Sequence, residues 1–519
     1  MRVIDTGWNS AGWNITVDSV LLEMMSRGEI PPTFRFLSFN PSCVLVGYHQ
    51  CVTQEVRVGF CEEGGIEINR RITGGGTVFF DPSQLGWEIV ALRDDPVFPS
   101  KPEDLYRVFG EAFACGLRLL GIPARYKPRN DIEVEGRKIS GTGGITLGNA
   151  FLFQGTLLVK DEIETMLKAL MVPVEKLRRK EIASLRERVT CVERELGRVP
   201  SRDEFKNAIL AGFKEVLGLT FEQGKLTRKE VQRINSACEY FLSNDWVHKI
   251  EYPEGTQGML NYTHRRKGGI VRVSMIVNAV DKILRSTMIY GDFFISPPAV
   301  LMDLERLLKN IRMEPKGIED IVERFFAERE EEMEIVGLSK EDFLSGVRGV
   351  LGKWELLSKG FSIGEADAIF QVLGSIDDIK SLEPRWFLLP YCAKGPCDWR
   401  YSEDCTQCGG CEVGDVYKEL KALGYIPYTI VSFEHLMETL SRLKANGESA
   451  FVGSCCEAFY SKHQEDFERA GLPGVLVDIK DKTCYDLGKV REAYRGDFDV
   501  KTSLNTELIS KVAKFLRES

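Results

Sequence analysis

Between residues 14 and 28 apolar positions recur at helical spacing, with Val17, Val20, Leu21 and Met24 on one face and Gly28 as the stop, so the pattern predicts an amphipathic helix. The period then shortens. FRFLSF alternates, CVLVG is a short apolar run, and GTVFF and WEIVAL resume after a cluster of glycines, all of them strand signals. From Ser100 the tetrad S-K-P-E predicts a capping box with proline in the first turn, and Leu105, Val108, Phe109, Ala112, Phe113 and Leu120 give a buried helical face that Gly121 ends. NDIEV-EG-RKISG predicts a hairpin around a two-residue Glu-Gly turn, with Lys138 on its second strand. FLFQGTLLV is a further strand, and Ser201 with Glu204 opens a capped helix through Phe205, Ile209, Phe213 and Val216 that closes near Gly218. Strands and helices mix without strict alternation, so residues 1–225 read as an α+β domain with a mixed, largely antiparallel sheet.

Beyond residue 226 the pattern changes. A helix and the aromatic stretch EYFLSNDW lead to the strand-like IVRVSMIV and STMIYG and then to helices from 298 to 330, a small α+β unit over 226–355. In 356–519 the short apolar runs WFLLP, YIPYTIV, SAFVGSC and GVLVDI alternate with helical stretches, the signature of a parallel, Rossmann-like α/β layer.

Composition adds little to this picture and excludes much. With 43% hydrophobic and 28% charged residues over 519 positions the chain has ordinary globular usage. No apolar run approaches the roughly 20 residues that span a bilayer, and MRVIDTGWNSAGW lacks the layout of a secretory signal, so we expect a cytoplasmic protein without membrane contact. A net charge of -9 gives no general reason to bind nucleic acid, and the basic stretch EKLRRKEIASLRER is interleaved with acids as on a solvated helix face.

Two segments carry candidate chemistry. In Asn69 to Asp81, NRRITGGGTVFFD, three consecutive glycines let the backbone pass close to a neighbour or take positive φ, and Arg70, Arg71 and Thr73 beside them suit an anion. A plain tight loop would read the same way. In NDIEVEGRKISG, Lys138 faces Asn130 and Asp131 across the turn, a compact cation suited to carboxylate and phosphate oxygens beside a carboxylate able to hold Mg²⁺. A surface ion pair is the alternative.

Taken together, the helix NITVDSVLLE, GYHQ at Gly47 to Gln50, RRITGGGTVFFD, NDIEVEGRKISG and the GTLL run from Gly155 resemble the lipoate-protein ligase family, through roughly residues 1 to 220. The stretch from about 226 to 350 looks like that family's accessory domain. The resemblance implies that ATP and lipoate give lipoyl-adenylate, which acylates a lysine of a lipoyl carrier, either a glycine cleavage H-like protein or a dehydrogenase E2 lipoyl domain. It implies that Arg71, Thr73 and Gly74, Gly75 and Gly76 line the lipoate and phosphate site. Lys138 would contact the carboxylate and α-phosphate, and Asn130, Asp131 and Ser140 would serve nucleotide and Mg²⁺. The sequence departs from the family at Phe80, where His is common, and at Phe153 and Gln154, where His-His is frequent. Octanoyl transferases share the fold but use a catalytic cysteine, and none lies between Cys115 and Cys191. A biotin ligase would need a different arginine- and glycine-rich loop, and a non-catalytic lipoate-sensing or carrier-binding module is disfavoured by the presence of both Lys138 and Asp131.

Eight of the fourteen cysteines fall at or after Cys392. Cys405, Cys408 and Cys411 form C-x-x-C-x-x-C, spacing that turns thiolates toward one centre, with Cys392 or Cys397 offering a fourth ligand. The expectation is an iron-sulfur cluster, with Zn²⁺ or redox-active thiols as alternatives. This segment also resembles a cysteine-rich domain to which no activity attaches.

Overall fold

The structure is a computed structural model that describes the chain apart from residues 100, 129, 172–187, 252–257, 396, 481–482, 485–500 and 519. The basic stretch from Glu175 lies outside the described residues up to Arg188, as does Ser100 of the expected capping box. The helix that follows runs Pro102–Leu119 from an N-cap at Lys101 without a side-chain cap bond.

Residues 1–225 build an eight-stranded sheet. Its order is Glu222–Gln223, Arg2–Asn9, Thr33–Phe39, Leu85–Leu92, Ala150–Leu157, Arg137–Leu147, Asp131–Val134, Arg125–Lys127. The first two pairings are parallel and the rest antiparallel. Thr33–Phe39 is buried on both faces, where its alternation suggested one wet face. Leu37 and Phe39 join the core under helix Ala11–Ser26, while Phe34 and Phe36 join the core under helices Pro102–Leu119 and Arg202–Leu217. Arg35 on this strand is therefore sealed in, and it is satisfied by Asp18 at 2.6 Å and Glu88 at 3.0 Å. Removing Arg35 would leave both carboxyls buried without their cation, typically a cost of about 3 to 5 kcal/mol. A separate three-stranded sheet, Glu67–Arg70, Cys43–Val46, Val78–Phe80, carries the glycine-rich segment.

Helix Arg228–Leu242, capped by Thr227 and Glu230, returns to this first body, where Ile234 and Phe241 enter its core. Next stand the antiparallel strands Met259–Arg266, Gly269–Asn278, Ile283–Asp292 and Ile311–Arg312. The last sheet has order Ile369–Val372, Gly474–Val477, Phe451–Ser454, Trp386–Pro390, Ile426–Ile430. The four strands expected there are mutually parallel, and Ile369–Val372, a strand the apolar pattern did not signal, adds an antiparallel edge. One apolar core runs from Val271 and Val273 through Phe343, Val347 and Val350 of helix Lys340–Leu357 to Phe387, Val452 and Val475 of the last sheet. No described helix is long and apolar enough to cross a membrane.

Candidate active site

The glycine-rich loop spans residues 71–77, joining the two outer strands of the three-stranded sheet across its middle strand. Two buried arginines shape it from beneath. Arg71 donates to the carbonyls of Leu45 (2.9 Å), Gly74 (2.8 Å) and Gly76 (2.6 Å) and to Thr73 Oγ1 (3.1 Å). Arg70 donates to the carbonyls of Gly47, Tyr48, Gln50 and Val247. Burial pulls both guanidinium groups down to about 10, so they remain charged at neutral pH. Arg71 thus fixes the loop's own carbonyls at Gly74 and Gly76, while Arg70 fixes the adjoining turn at Gly47 to Gln50. Gln50 ties the far end, accepting from Gly47 N and Thr77 Oγ1, each at 2.8 Å. Gln154, at the position where the family often has histidine, donates to Thr73 Oγ1 at 2.8 Å.

The hairpin opposite pairs Asp131–Val134 with Arg137–Leu147 through Glu135 and Gly136, both at positive φ. A register shift between Ile132 and Glu133 sets Lys138 across from Glu133, yet its side chain reaches Asp131 Oδ1 at 2.6 Å. It reaches by lying over Gly141, where a Cβ would stand 3.0 Å from Lys138 Nζ. Any side chain there would displace the ammonium, which makes Gly141 a site residue that the sequence signalled only as the last letter of RKISG. Asn130 anchors the hairpin's entry, its amide donating to the Thr142 carbonyl at 3.1 Å.

Loop and hairpin face each other across a cavity of about 560 Å³. Arg71, Gly74, Gly76, Asn130, Asp131 and Lys138 are on its wall. Thr73, Gly75 and Ser140 stand off it: Thr73 is held by Arg71 and Gln154, Gly75 faces Phe294, and Ser140 is fully buried in the hairpin. One end of the cavity is apolar, with Ile15, Leu37, Phe39 and Leu45. No cysteine lies on its wall among the described residues. Burial also raises the thiols of Cys43, Cys61, Cys115 and Cys191, which keeps them protonated.

The second body contributes to the same cavity, which the motifs of the first did not announce. Segment Asp292–Phe294 lies on the glycine loop, with Gly75 N donating to the Phe293 carbonyl at 2.9 Å. A Cβ on Gly74 would meet that carbonyl oxygen at 2.3 Å, and one on Gly75 (φ +89°) would meet the Phe294 ring at 2.5 Å. Burial raises the Asp292 carboxyl, opposed by the nearby cations Arg71, Arg272, Lys138 and Arg265. Residues Arg265 to Ile270 complete the wall.

The terminal cysteines divide into two groups. Cys392, Cys455, Cys456 and Cys484 line a mostly apolar cavity of about 100 Å³ at the carboxyl ends of the parallel strands. Cys397, Cys405, Cys408 and Cys411 belong to the irregular segment before helix Glu412–Ala422. Of the two candidates for a fourth ligand, Cys392 lines the strand-end cavity and Cys397 belongs to the segment that carries the C-x-x-C-x-x-C run. Among the described residues no three His, Cys, Asp or Glu side chains are gathered so as to hold a metal ion.

Comparison with known proteins points to one chemistry with two branches. The lipoyl protein ligase A/B catalytic domain family matches residues 10–214. Lipoate-protein ligase A subunit 1 of Thermoplasma acidophilum is 32% identical over 227 residues, 42% of this chain and 84% of its own length. Lipoate-protein ligase LplJ of Bacillus subtilis is 26% identical over 324 residues, 61% of this chain and 91% of its own length. Octanoyltransferase LipM of Kyrpidia tusciae is 27% identical over 270 residues, 48% of this chain and 98% of its own length.

Proposed function

The chain belongs to the lipoyl protein ligase A/B family of enzymes, and from that premise we propose that it ligates lipoate, or a close short-chain acid, to a lysine of a lipoyl carrier protein using ATP. The family holds both ligases and acyl transferases, and the observation that supports the ligase branch is the cavity wall. A transferase needs a thiolate to hold the acyl group, and the described wall offers none. What it offers is an apolar end for the acid's chain and a lysine-aspartate pair beyond it.

In this reading the acid's carboxylate oxygen attacks the α-phosphorus of ATP as pyrophosphate leaves. Negative charge gathers on phosphate and carboxylate oxygens, and Lys138, fixed over Gly141, stabilises it without moving a proton. Asn130 and Asp131 would hold Mg²⁺, which supplies charge neutralisation at the phosphates. The glycine loop, its Gly74 and Gly76 carbonyls tied down by Arg71, brings side-chain-free backbone at Gly74 and Gly76 to the wall where the adenylate would lie. A carrier lysine then attacks the acyl carbon and AMP leaves. The carrier is an H-like protein or an E2 lipoyl domain. The test is mass spectrometry of such a carrier incubated with the protein, lipoate, ATP and magnesium. The acyl mass should appear only with ATP, and transfer from an acyl-carrier thioester without ATP would instead establish the transferase branch.

For the terminal segment we propose a soft-metal site, an iron-sulfur cluster before zinc, formed when Cys397, Cys405, Cys408 and Cys411 are drawn together. What supports it is Lys394, whose buried ammonium donates to the carbonyls of Trp399, Ser402 and Asp404 inside this segment. Lys394 is close enough to Cys405, Cys397 and Cys411 to interact electrostatically with all three, a cation suited to balance several thiolates.

A further inference from the structure

Part of the cavity wall is the turn between strands Met259–Arg266 and Gly269–Asn278, with the sequence RRKGG. It shares that wall with Asn130, Asp131 and Lys138, and Arg265 and Lys138 both lie close enough to Asp292 to act on its carboxyl. The turn is held from behind by the short helix Gln464–Ala470 of the last body. Gln464 Oε1 accepts from Arg265 N at 2.8 Å, and its amide donates to the Thr263 carbonyl at 2.6 Å. Glu465 Oε1 accepts from Lys267 N at 3.1 Å, and Glu468 pairs with Arg266 at 3.0 Å. Asp342 also lies 3.7 Å from Arg266. Arg266 is thereby a brace, while the Lys267 side chain is exposed above a backbone fixed at two amides.

Charge sets the ligand class. Of the cavity's carboxylates, Asp18 is matched by Arg35 and Asp131 by Lys138, and Asp292 lies among Arg71, Arg272, Lys138 and Arg265. The turn adds a further cation in Lys267, whose side chain is exposed at this wall, beside Arg265. We propose that this turn is a polyphosphate site: Lys267 and Arg265 take the β- and γ-phosphates of ATP and then the pyrophosphate that departs. The proposal rests on the adenylation reading above. In that step a bond forms from the acid's carboxylate oxygen to the α-phosphorus as the bond from that phosphorus to the bridging oxygen breaks. The electron pair leaves on pyrophosphate, and no proton is required. A cation at the turn stabilises the charge that arrives there, just as Lys138 does at the α-phosphate. The last body, through Gln464 and Glu465, positions that cation.

Lys267→Ala, Lys267→Arg and Arg265→Ala in the full chain test it by two measurements, calorimetric binding of magnesium pyrophosphate and the KM values for ATP and lipoate in pyrophosphate release. One lost charge-assisted contact corresponds to a change of about tenfold. Lys267→Ala should weaken pyrophosphate binding and raise KM for ATP by about that factor while KM for lipoate holds, and Lys267→Arg should restore most of both. Lys267 is exposed, so its variants keep the fold. Unchanged pyrophosphate affinity and unchanged ATP KM in both alanine variants would overturn the site while leaving adenylation intact. A wild-type protein that binds pyrophosphate with this Lys267 dependence, yet releases none from ATP and lipoate, would keep the site and overturn the adenylation reading.

Discussion

Replacing Gly74 with alanine asks what the glycine loop is for. The added Cβ would stand 2.3 Å from the Phe293 carbonyl oxygen and 3.1 Å from Phe294 Cα, both backbone atoms that cannot rotate away. Segment 292–294 must therefore lift by about 1 Å, which breaks the 2.9 Å bond from Gly75 N to that same carbonyl. Overpacking costs about 1 to 3 kcal/mol and a lost net hydrogen bond about 1 kcal/mol, so the second body should hold to the first more weakly by about 2 to 4 kcal/mol. Hydrogen exchange read by mass spectrometry should show the effect as faster exchange at Gly75, whose amide loses its partner, and in the strand ending at Asp292. The sheet core around Phe34 and Trp87 should not change. If exchange at Gly75 is unaltered and only the KM for ATP rises, the glycine serves the ligand alone and the packing argument is wrong.

Lys138→Ala should slow pyrophosphate release by about two to three decades with little change in melting temperature, since the side chain is partly exposed, and near-normal release would reduce it to an ion pair with Asp131. Burial raises Glu305 to about 7 from an ordinary 4.5, its one counterweight being the bond from Ile289 N at 2.7 Å. A carboxyl raised on folding binds more protons in the native state, so its contribution is full below about pH 4.5 and is lost as pH climbs toward 7. Glu305→Gln should remove up to about 3 kcal/mol of that fall, read as a flatter denaturant midpoint against pH, and parallel wild-type and variant curves would refute it. Protein purified without oxygen should carry iron and sulfide in equal amounts that Cys408→Ser lowers, whereas zinc without sulfide would select the zinc alternative and no metal would end the proposal.

How much of this was legible in the sequence depends on how local each signal is. Ser201 and Glu204 announce their helix because a capping box is closed within four residues, and the Glu-Gly turn announces its hairpin because both positions need positive φ. The burial of Arg35 was not legible. It depends on Asp18 and Glu88 arriving from a helix and a neighbouring strand, and no window around FRFLSF contains them. Arg71 beside glycines signals an anion, but the sequence does not reveal that the same glycines expose carbonyls, which the guanidinium binds from its place on the cavity wall.

The turn RRKGG shows the same limit from the other side. Its composition is close to that of RRITGGG, two arginines before glycines, yet on its own it reads as an ordinary tight hairpin of basic character. What changes its meaning is topology. The segment that follows Gly291 lies on the glycine loop through Gly75 N, and because Ile270 pairs with Asp292 in the neighbouring strand, this docking sets the adjoining turn at the cavity wall. The helix Gln464–Ala470, nearly two hundred residues further on, then fixes the turn's amides with side chains that no motif search would connect to it. A site assembled from three stretches of chain in this way has a testable signature. Cutting the contact at Glu465 should disturb ATP and leave lipoate alone, because the apolar end of the cavity is built entirely from the first body.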